Sequence, residues 1–427
     1  MKIALICTEK LPVPPVAGGA VQLYINEILP YISKGHDITV FSKAYPGLAA
    51  EETADNVRHI RVSAKSTARY VKSIKDHLDE SFDLIHVFNR PRWVLDLCRD
   101  LPNTRFGLSL HNEMFLPDKI PGDKAVECIA RVEFINTVSK FIADGVKKLY
   151  PVAESKLKVV YSGVNLEKYC TNWSPQGIAN RMQLKDKLGI KDKKVVLHVS
   201  RLSPKKGTHI VLAAMRKVME SHPDTALVIV GSKWYGKNEE DDFTKHCKDL
   251  ARQLSGPVIF TGFIPPSEIP DYYNIGDVFI CASQWNEPLA RIHYEAMAAG
   301  LPIITTDRGG NAEIIDEHIN GLILRDYNNP DSLADHINYV LSNPQIALEL
   351  GKNARETALK KYPWKRVAYE VFSSIKNENL PSCENKLPEN TSDTGYKEEI
   401  FESSAENKLS EESSETMDYS GFFPSSF

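Results

Sequence analysis

The sequence lacks any apolar run long enough to span a bilayer, which takes roughly 18 or more consecutive apolar residues. Its first apolar stretch, residues 3–7 (IALIC), stops at Thr8 and Glu9 and is too short for the core of a signal peptide. We therefore expect a cytoplasmic protein, and we leave peripheral attachment to a membrane open as an alternative.

Cysteine is scarce and scattered, which argues against a disulfide-stabilised secreted protein and against a zinc knuckle. The 427 residues include seven cysteines, an odd number, and no two of them form a C-x-x-C pair. They are Cys7, Cys98, Cys128, Cys170, Cys247, Cys281 and Cys383. This usage indicates a reducing compartment.

Two short motifs are also missing. No D-x-D occurs within residues 1–376, so the sequence offers no aspartate pair that would hold a divalent metal beside a diphosphate. No G-x-G-x-x-G follows the first apolar run, which disfavours a nicotinamide dinucleotide site.

Negative charge is concentrated at the C-terminal end. The formal net charge is −4, but residues 377–427 hold twelve acids and three lysines (net −9), so the other 376 residues carry about +5 (−4 minus −9). This segment is rich in Glu, Ser and Asn, and we predict a disordered acidic tail. Its closing YSGFFPSSF either docks a protein partner or has none, and the sequence leaves both alternatives open. So weak a basic surplus gives no reason to expect a nucleic-acid partner.

Short apolar runs alternate with helical patterns over residues 1–376, which is typical of parallel sheets with helices on both faces. The polar stretch 162–192 separates two series of predicted strands. The first series is 2–7, 37–41, 57–62, 84–87, 105–110, 134–138 and 158–161, and the second is 194–199, 226–230, 258–261, 278–282, 302–306 and 321–324. We predict an α/β protein with two doubly wound, Rossmann-like domains that face each other across a ligand-binding cleft.

The predicted domain boundaries follow from these two series. The first domain is placed at residues 1–165, a linker region at 166–192 and the second domain at 193–361. Residues 362–376 are predicted to form a C-terminal helix, and residues 377–427 the tail.

The loop after the first strand of the second series, HVSRLSPKKGTH, combines cations with a helix start. Gly207 keeps the turn small, and the new helix would offer unpaired N–H groups and a positive dipole end to an anion. Arg201 and Lys206 add two full charges at the same edge of the sheet. We predict a phosphate site, with two solvated side chains on a loop as the alternative.

The segment EPLARIHYEAMAAGLP places two glutamates eight residues apart. Pro288 suits the first position of a helix and Glu287 its positive end, so we predict a helix that starts there. At about 100° per residue, the carboxylates of Glu287 and Glu295 would then lie about 80° apart around the axis. An acidic first turn followed by a solvated glutamate is the alternative.

Other segments place glycine or polar residues at the same edge of a sheet. Gly18 and Gly19 precede a predicted helix and would let a backbone approach a ligand closely. His111 follows the strand that ends in SLHNE, although a single histidine is more often structural than catalytic. Glu313 lies in the turn RGGNAEII.

In combination and in order, these segments resemble the retaining glycosyltransferases of family 4, which have the GT-B fold, over about residues 1–376. The segments that carry the resemblance are the Gly-Gly loop, SLHNE, VYSGVNLEKY, SRLSPKKG, VIVG, IFTGFIP, EPLARIHYEAMAAGLPII and RGGNAEII. The last two are most similar to spore-coat-protein-SA-like members. The resemblance implies sugar transfer from a nucleoside diphosphate, most commonly UDP, to a glycan, lipid or protein acceptor. It implies no cofactor, and it suggests a place in bacterial cell-surface or spore-coat synthesis. It also implies that residues 1–165 form the acceptor domain, that residues 193–361 form the nucleotide-sugar donor domain, and that the helix at 362–376 crosses back to the first domain.

The resemblance also implies roles for individual residues. Glu287 and His111 would lie beside the transferred sugar, Glu295 would hold the ribose, and Arg201 and Lys206 would neutralise the diphosphate. The other implied donor contacts, several of them through backbone groups, are Gly18, Gly19, Gly231, Phe263, Ile264, Leu289 and Ala290.

The implied reaction must stabilise the doubly anionic group that leaves the sugar. Because D-x-D is missing, this falls to Arg201 and Lys206, and we predict a metal-independent reaction. The resemblance implies retention by front-face attack, with the leaving phosphate helping to take the acceptor proton. Two alternatives stay open: a transferase-like coat scaffold with little turnover, recruited through the tail, and an epimerase or phosphorylase on the same fold.

The chain departs from the family pattern beside the predicted sugar site. Many relatives have Glu-Gly-Phe-Gly where this chain has residues 287–290 (EPLA), and aliphatic residues where it has Arg291 and His293. These departures bear on the identity of the donor sugar more than on the class of reaction.

Overall fold

The computed structural model describes residues 1–233 and 241–375, and every structural statement below concerns those residues. The predicted acidic tail, residues 377–427, lies outside them.

The first half of the chain forms an eight-stranded sheet in the order β3-β4-β2-β1-β5-β6-β7-β8. Its strands are β1 Lys2–Ile6, β2 Asp37–Lys43, β3 Glu51–Ala54, β4 Val57–Val62, β5 Leu84–Phe88, β6 Arg105–Leu110, β7 Phe134–Thr137 and β8 Leu157–Val159. The pairs are parallel except the β3–β4 hairpin. The helices are α1 Ala20–Ile32, α2 Thr67–Lys75, α3 Pro91–Cys98, α4 Gly122–Arg131 and α5 Lys140–Leu149.

The second half forms a six-stranded parallel sheet in the order β11-β10-β9-β12-β13-β14. Its strands are β9 Lys194–Val199, β10 Thr225–Val230, β11 Val258–Phe260, β12 Val278–Cys281, β13 Ile303–Thr306 and β14 Leu322–Leu324. The helices from α6 onward are α6 Pro175–Lys187, α7 Thr208–Ser221, α8 Asp242–Arg252, α9 Ile269–Asn274, α10 Ile292–Ala299, α11 Pro330–Ser342, α12 Pro344–Lys361 and α13 Trp364–Ser373.

Both faces of each sheet are buried, which is why the strands are continuous apolar runs. In β1, Ile3 and Leu5 pack in the cluster that contains the apolar face of α1. Ala4 and Ile6, which point the other way, pack in the cluster that contains α2 and α3 residues. The predicted doubly wound α/β architecture is confirmed, and each predicted strand is present with its ends shifted by no more than two residues.

Two elements were not predicted. Strand β3 is a short, charged edge strand, and its hairpin turns at Asp55 and Asn56, which have φ of 51° and 61°. Helix α6 lies in the polar stretch predicted as linker, and it buries only Gly177 and Lys185, so it has no apolar periodicity to detect.

Helix α13 packs on the first half of the chain although it follows the second sheet. Its Trp364 meets Tyr24 of α1 edge to face at 5.6 Å, and Val367 and Val371 are buried in the same cluster. The predicted domain boundaries themselves stay predictions. No helix in the described ranges is both long and apolar enough to cross a membrane.

Candidate functional site

The carboxyl ends of the two sheets border a cleft of about 680 Å³. The first half contributes the loop after β1, the start of α1 and the ends of β5 and β6. The second half contributes the end of β9 and the segment that joins β12 to α10. This is the edge at which open α/β sheets bind ligands.

Most of the predicted site residues come together in this cleft. Its lining includes Gly19, His111, Arg201, Lys206, Glu287, Leu289, Ala290 and Glu295. Gly18 immediately precedes Gly19, whereas Gly231, Phe263 and Ile264 are not part of the lining. Gly231 has φ 131° and donates its N–H to Gly262 O at 3.2 Å, and Ile264 packs against the core of the second half.

A largely buried ion pair joins two of these residues. The Lys206 Nζ lies 2.8 and 2.7 Å from the two carboxylate oxygens of Glu287. Glu287 also accepts hydrogen bonds from Trp285 Nε1 at 2.6 Å and from Ser283 Oγ at 3.2 Å. Because the carboxylate is 90% shielded from solvent, these partners fix its position in the cleft wall.

The helix predicted to start at Pro288 starts four residues later, at Ile292, so the predicted helical relation between Glu287 and Glu295 is wrong. Glu287 instead forms a parallel bridge with Gly309, and Gly310 donates its N–H to Glu287 O at 2.8 Å. A Cβ on Gly309, which has φ 63°, would lie 2.1 Å from that oxygen. This pairing with the glycine turn is formed where the prediction had placed the start of the helix.

The backbone of Ala290 is held on both sides. Its N–H donates to Asn311 Oδ1 at 3.1 Å, and its carbonyl lies 2.9 Å from His293 Nδ1. His293 Nε2 in turn lies 2.7 Å from Thr305 Oγ1. The predicted contact of the Ala290 N–H with a donor would therefore have to share or replace the bond to Asn311.

The predicted phosphate loop has the expected form. Lys206 ends a short 3-10 turn, and Gly207, with φ 72°, connects it to α7. A Cβ on Gly207 would lie 1.9 Å from Ala282 O, so the loop packs tightly against the end of β12. This packing brings Lys206 to the cleft beside Arg201.

His198, at the end of β9, supports that loop from below. Its Nδ1 lies 3.0 Å from Ile280 O, and because a carbonyl only accepts, Nδ1 carries the proton. Its Nε2 then accepts from Ser200 Oγ at 2.8 Å and Thr208 Oγ1 at 3.2 Å. Burial lowers the pKa of His198 to about 4, so the ring is neutral.

His111 lies one residue beyond β6, in the first-half wall of the cleft. Its backbone N–H donates to Asn89 Oδ1 at 3.0 Å, and its ring meets Tyr24 edge to face at 4.9 Å. Burial, and to a smaller extent the Arg291 charge, lower the pKa of His111 to about 3. The ring is therefore neutral and unsuited to act as a cation toward phosphate.

Glu295 lies in the first turn of α10. Its Oε2 accepts from the Tyr273 hydroxyl at 2.9 Å, and its Oε1 lies 3.4 Å from Arg291 Nη2. These two neighbours hold the carboxylate in place, and Glu295 lines the cleft.

The sequence alone did not single out Trp285 or Asn311, and it placed Glu313 in a turn without giving its partner. Trp285 donates to Glu287, and Asn311 accepts from the Ala290 N–H. Glu313 accepts from the backbone of Lys140 in the first half of the chain. The polar residues of the turn RGGNAEII were a signal for Asn311 and Glu313, but no local pattern gives the partners of these two residues. In the described part of the chain, no three His, Cys, Asp or Glu side chains are grouped so that they could hold a metal, and metal independence stays a prediction.

Three buried histidines predict that the folded protein loses stability in mild acid. Burial lowers the pKa of His86 and His111 to about 3 and that of His198 to about 4, from an ordinary 6.5. Below pH 6.5 the unfolded chain binds protons that the folded chain does not. The contribution of these histidines to the free energy of unfolding is therefore fully present above pH 6.5. It decreases as the pH falls toward 4, by up to about 1.4 kcal/mol per pH unit for each histidine.

Urea unfolding of the wild type and of His198→Gln, at several pH values from about 7.5 to about 5, measures this effect. Glutamine keeps one donor and one acceptor but does not titrate, so the variant's stability should decline less steeply, by about 1 kcal/mol per pH unit. If the free energy of unfolding depended on pH equally steeply in the two proteins, His198 would not contribute to the loss of stability in acid.

Comparison with known proteins agrees with the geometry. Residues 17–168 match the family model Glycosyltransferase Family 4, and residues 180–357 match Glycosyl transferases group 1. The chain is 46% identical to Spore coat protein SA of Bacillus subtilis (strain 168), over 87% of this chain and 98% of that protein. It is 42% identical to the putative glycosyltransferase YtcC of the same organism, over 89% and 95% of the two chains.

A solved structure shows the same fold. The crystal structure of Anabaena Alr3699/HepE in complex with UDP-glucose has a TM-score of 0.70 and 20% sequence identity, over 88% of this chain and 99% of that one. These findings confirm the family that the motifs predicted. The chain belongs to the family 4 glycosyltransferases and has the GT-B fold.

Proposed function

We propose that the protein transfers a sugar from a nucleoside diphosphate, UDP, to an acceptor in cell-surface or spore-coat synthesis. We propose further that the sugar keeps its anomeric configuration and that no metal takes part. The observation that carries this proposal is the Lys206–Glu287 pair, which places a cation and a carboxylate within 2.8 Å of each other in the cleft, at the carboxyl end of the second sheet.

Lys206 and Arg201 would receive the leaving diphosphate. Both line the cleft at the end of β9, where fixed positive charge stabilises an anion most as it forms. A diphosphate that enters the cleft competes with Glu287 for the Lys206 ammonium. The carboxylate is then available to accept hydrogen bonds from sugar hydroxyls, so that one buried pair recognises both parts of the donor.

Glu295 would hold the ribose, since two neighbours already orient its carboxylate. Of the cleft-lining residues in the described ranges, Glu287 and Glu295 are the only carboxylates. Both have cationic partners, so neither is well placed to attack the anomeric carbon as a free nucleophile. This arrangement supports front-face attack, in which the leaving phosphate takes the acceptor proton.

The acceptor would enter from the side of the first half, past His111. The relative named Spore coat protein SA supports a coat glycan or glycoprotein as the acceptor class, and a lipid acceptor at a membrane surface is the alternative. A neutral His111 would contact a sugar hydroxyl rather than the diphosphate.

Calorimetric titration of the full chain with UDP, GDP and ADP in EDTA tests this proposal. We expect one nucleotide to bind, and Lys206→Ala to weaken that binding by about 10- to 100-fold because it removes a charge-assisted contact. Lys205→Ala is the matched control, since Lys205 lies in the same turn but stacks on the Trp285 ring at 4.8 Å. We expect that control to bind within about threefold of the wild type.

Failure of every nucleotide to bind to folded protein would contradict the proposal. It would favour the alternative of a coat scaffold recruited through the acidic tail, a segment that lies outside the described residues. Binding that is lost in EDTA and restored by magnesium would instead refute metal independence alone.

A further inference from the structure

A small cavity of about 50 Å³ adjoins the cleft between the two halves of the chain. Ala20, His111 and Ser162 border it from one side, and Leu289, Arg291 and Tyr294 from the other. Ala20, His111, Leu289 and Arg291 also line the main cleft. A group that projects from a sugar held at Glu287 could therefore enter the cavity.

Two polar atoms around this cavity, Arg291 Nη1 and His111 Nε2, are buried and have no hydrogen-bond partner among the described residues. The buried Tyr294 hydroxyl also borders the cavity, within reach of the Ser162 backbone. A buried N–H or O–H that stays unpaired is costly, and most strongly so when the group is charged. Two such atoms around one space, with the Tyr294 hydroxyl beside them, indicate that the space is built for a polar ligand group.

Arg291 has other contacts, but they do not use Nη1. Its Nη2 lies 3.4 Å from Glu295 Oε1, and its guanidinium lies 5.7 Å from the centre of the Trp364 ring. These contacts orient the guanidinium plane and leave one edge toward the cavity. Arg291 is also one of the positions at which the chain departs from the aliphatic residues of many relatives.

The charge in the cavity is that of the guanidinium. His111 beside it is neutral, because burial and the Arg291 charge lower its pKa to about 3. Tyr294 is buried, and burial raises its pKa well above the ordinary value, so its hydroxyl keeps its proton. One permanent cation with two neutral hydrogen-bonding groups suits a singly charged anion that has more than one acceptor atom.

We propose that Arg291, with Tyr294 and His111, binds a carboxylate on the transferred sugar, so that the donor is a nucleotide hexuronic acid. This inference rests on the proposed nucleotide-sugar function. A carboxylate has two oxygens on one carbon and is small enough for the cavity, whereas a second sugar ring is not. Arg291 is then a specificity-determining residue, which selects the acidic sugar over its neutral hydroxymethyl counterpart.

Calorimetric binding of paired nucleotide sugars to the full chain tests the inference. The probes are UDP-glucuronate with UDP-glucose, and UDP-galacturonate with UDP-galactose, so that each pair differs only at C6. We expect at least one uronate to bind about 10- to 100-fold more tightly than its neutral partner, the range of a hydrogen-bonded charge contact.

Two variants separate specificity from general damage to the site. Arg291→Gln should reduce the preference for the uronate to about onefold. Because Arg291 also orients Glu295, the proposed ribose contact, the uronate is compared with its neutral partner on the same variant, so that a change in UDP affinity affects both ligands alike. Tyr294→Phe removes one hydroxyl without removing charge, and we expect a smaller loss of about three- to tenfold for the uronate.

The possible failures are distinguishable. If UDP binds but each neutral sugar binds as tightly as its uronate, the carboxylate assignment is overturned and the proposed donor site survives. The same conclusion follows if Arg291→Gln leaves the uronate preference intact. If UDP, GDP and ADP all fail to bind, the proposed function and this inference fail together.

Discussion

Replacing Glu287 by glutamine should lower turnover about 100- to 1,000-fold, the usual effect of removing one preorganised electrostatic contact from an active site. Both oxygens of Glu287 interact with Lys206, and one also accepts from Trp285. Glutamine keeps a single acceptor oxygen and turns an N–H₂ group toward these donors. The variant should therefore misplace the sugar while the phosphate loop remains intact.

Nucleotide binding should respond in the opposite direction. In the wild type a diphosphate has to compete with Glu287 for Lys206, and in Glu287→Gln that competition is gone. We expect UDP to bind to this variant at least as tightly as to the wild type. Loss of turnover with retained UDP affinity would separate the role of Glu287 from that of Lys206.

Release of UDP from a nucleotide sugar in water measures this turnover without knowledge of the acceptor. The matched control is Glu317→Gln, which neutralises another ion-paired glutamate of the second half, bonded to Arg325 at 2.6 Å on the surface. We expect the control to keep wild-type turnover. If Glu287→Gln released UDP within about threefold of the wild-type rate, its assignment to the sugar site would be wrong.

Replacing Glu313 by alanine should destabilise the protein by about 2–4 kcal/mol, because a carboxylate that caps a helix from across the molecule is removed. Glu313 lies in the 3-10 turn Asn311–Ile314 of the second half. Its two oxygens accept the N–H groups of Lys140 and Phe141, at 2.7 and 2.6 Å, in the first turn of α5.

The same carboxylate accepts from the Tyr161 hydroxyl at 3.0 Å. Burial, together with the neighbouring Glu313 charge, raises the pKa of Tyr161, so this hydroxyl remains a donor. Negative charge at the positive end of α5 is favourable in itself. These three bonds join the two halves of the chain beside Gly310, on which a Cβ would lie 2.8 Å from Ser139 Cβ.

Urea unfolding of Glu313→Ala, Glu313→Gln and Tyr161→Phe measures this contribution. Glutamine keeps the shape of the side chain without its charge. We expect the free energy of unfolding of Glu313→Gln to lie between those of Glu313→Ala and the wild type. Tyr161→Phe removes one hydrogen bond and should cost about 1 kcal/mol. A Glu313→Ala protein as stable as the wild type would show that α5 finds equivalent partners in solvent.

The apolar strands were predictable because a strand buried on both faces must be apolar throughout. Strands β1 and β9 and helix α5 lie within a residue of their predicted bounds. Helix α6 was not predicted, because it buries too little apolar surface to leave a periodic pattern. Strand β3 escaped notice because an edge strand of four residues can be charged and still pair with β4.

The candidate site was predictable as a set of residue types and much less as a geometry. The sequence placed Arg201, Lys206 and His111 at strand ends, and parallel strands bring such ends to one edge. It gave the wrong local structure at Glu287, because the bridge to Gly309 outweighs the helix-start signal of Glu-Pro. Propensity is a weak preference that a backbone hydrogen bond to a distant segment can override.

The sequence by itself determined the α/β class, the two series of parallel strands, the family and the main charged residues of the second-half wall of the cleft. These properties follow from local patterns, namely the apolar runs and the residue types at strand ends. Only the tertiary structure decided the partners: Lys206 with Glu287, Glu313 with the start of α5, and Arg291 with the cavity at His111. Such pairs lie 81 and 172 residues apart in the first two cases, and no local pattern specifies which distant groups the packed sheets bring within hydrogen-bond distance.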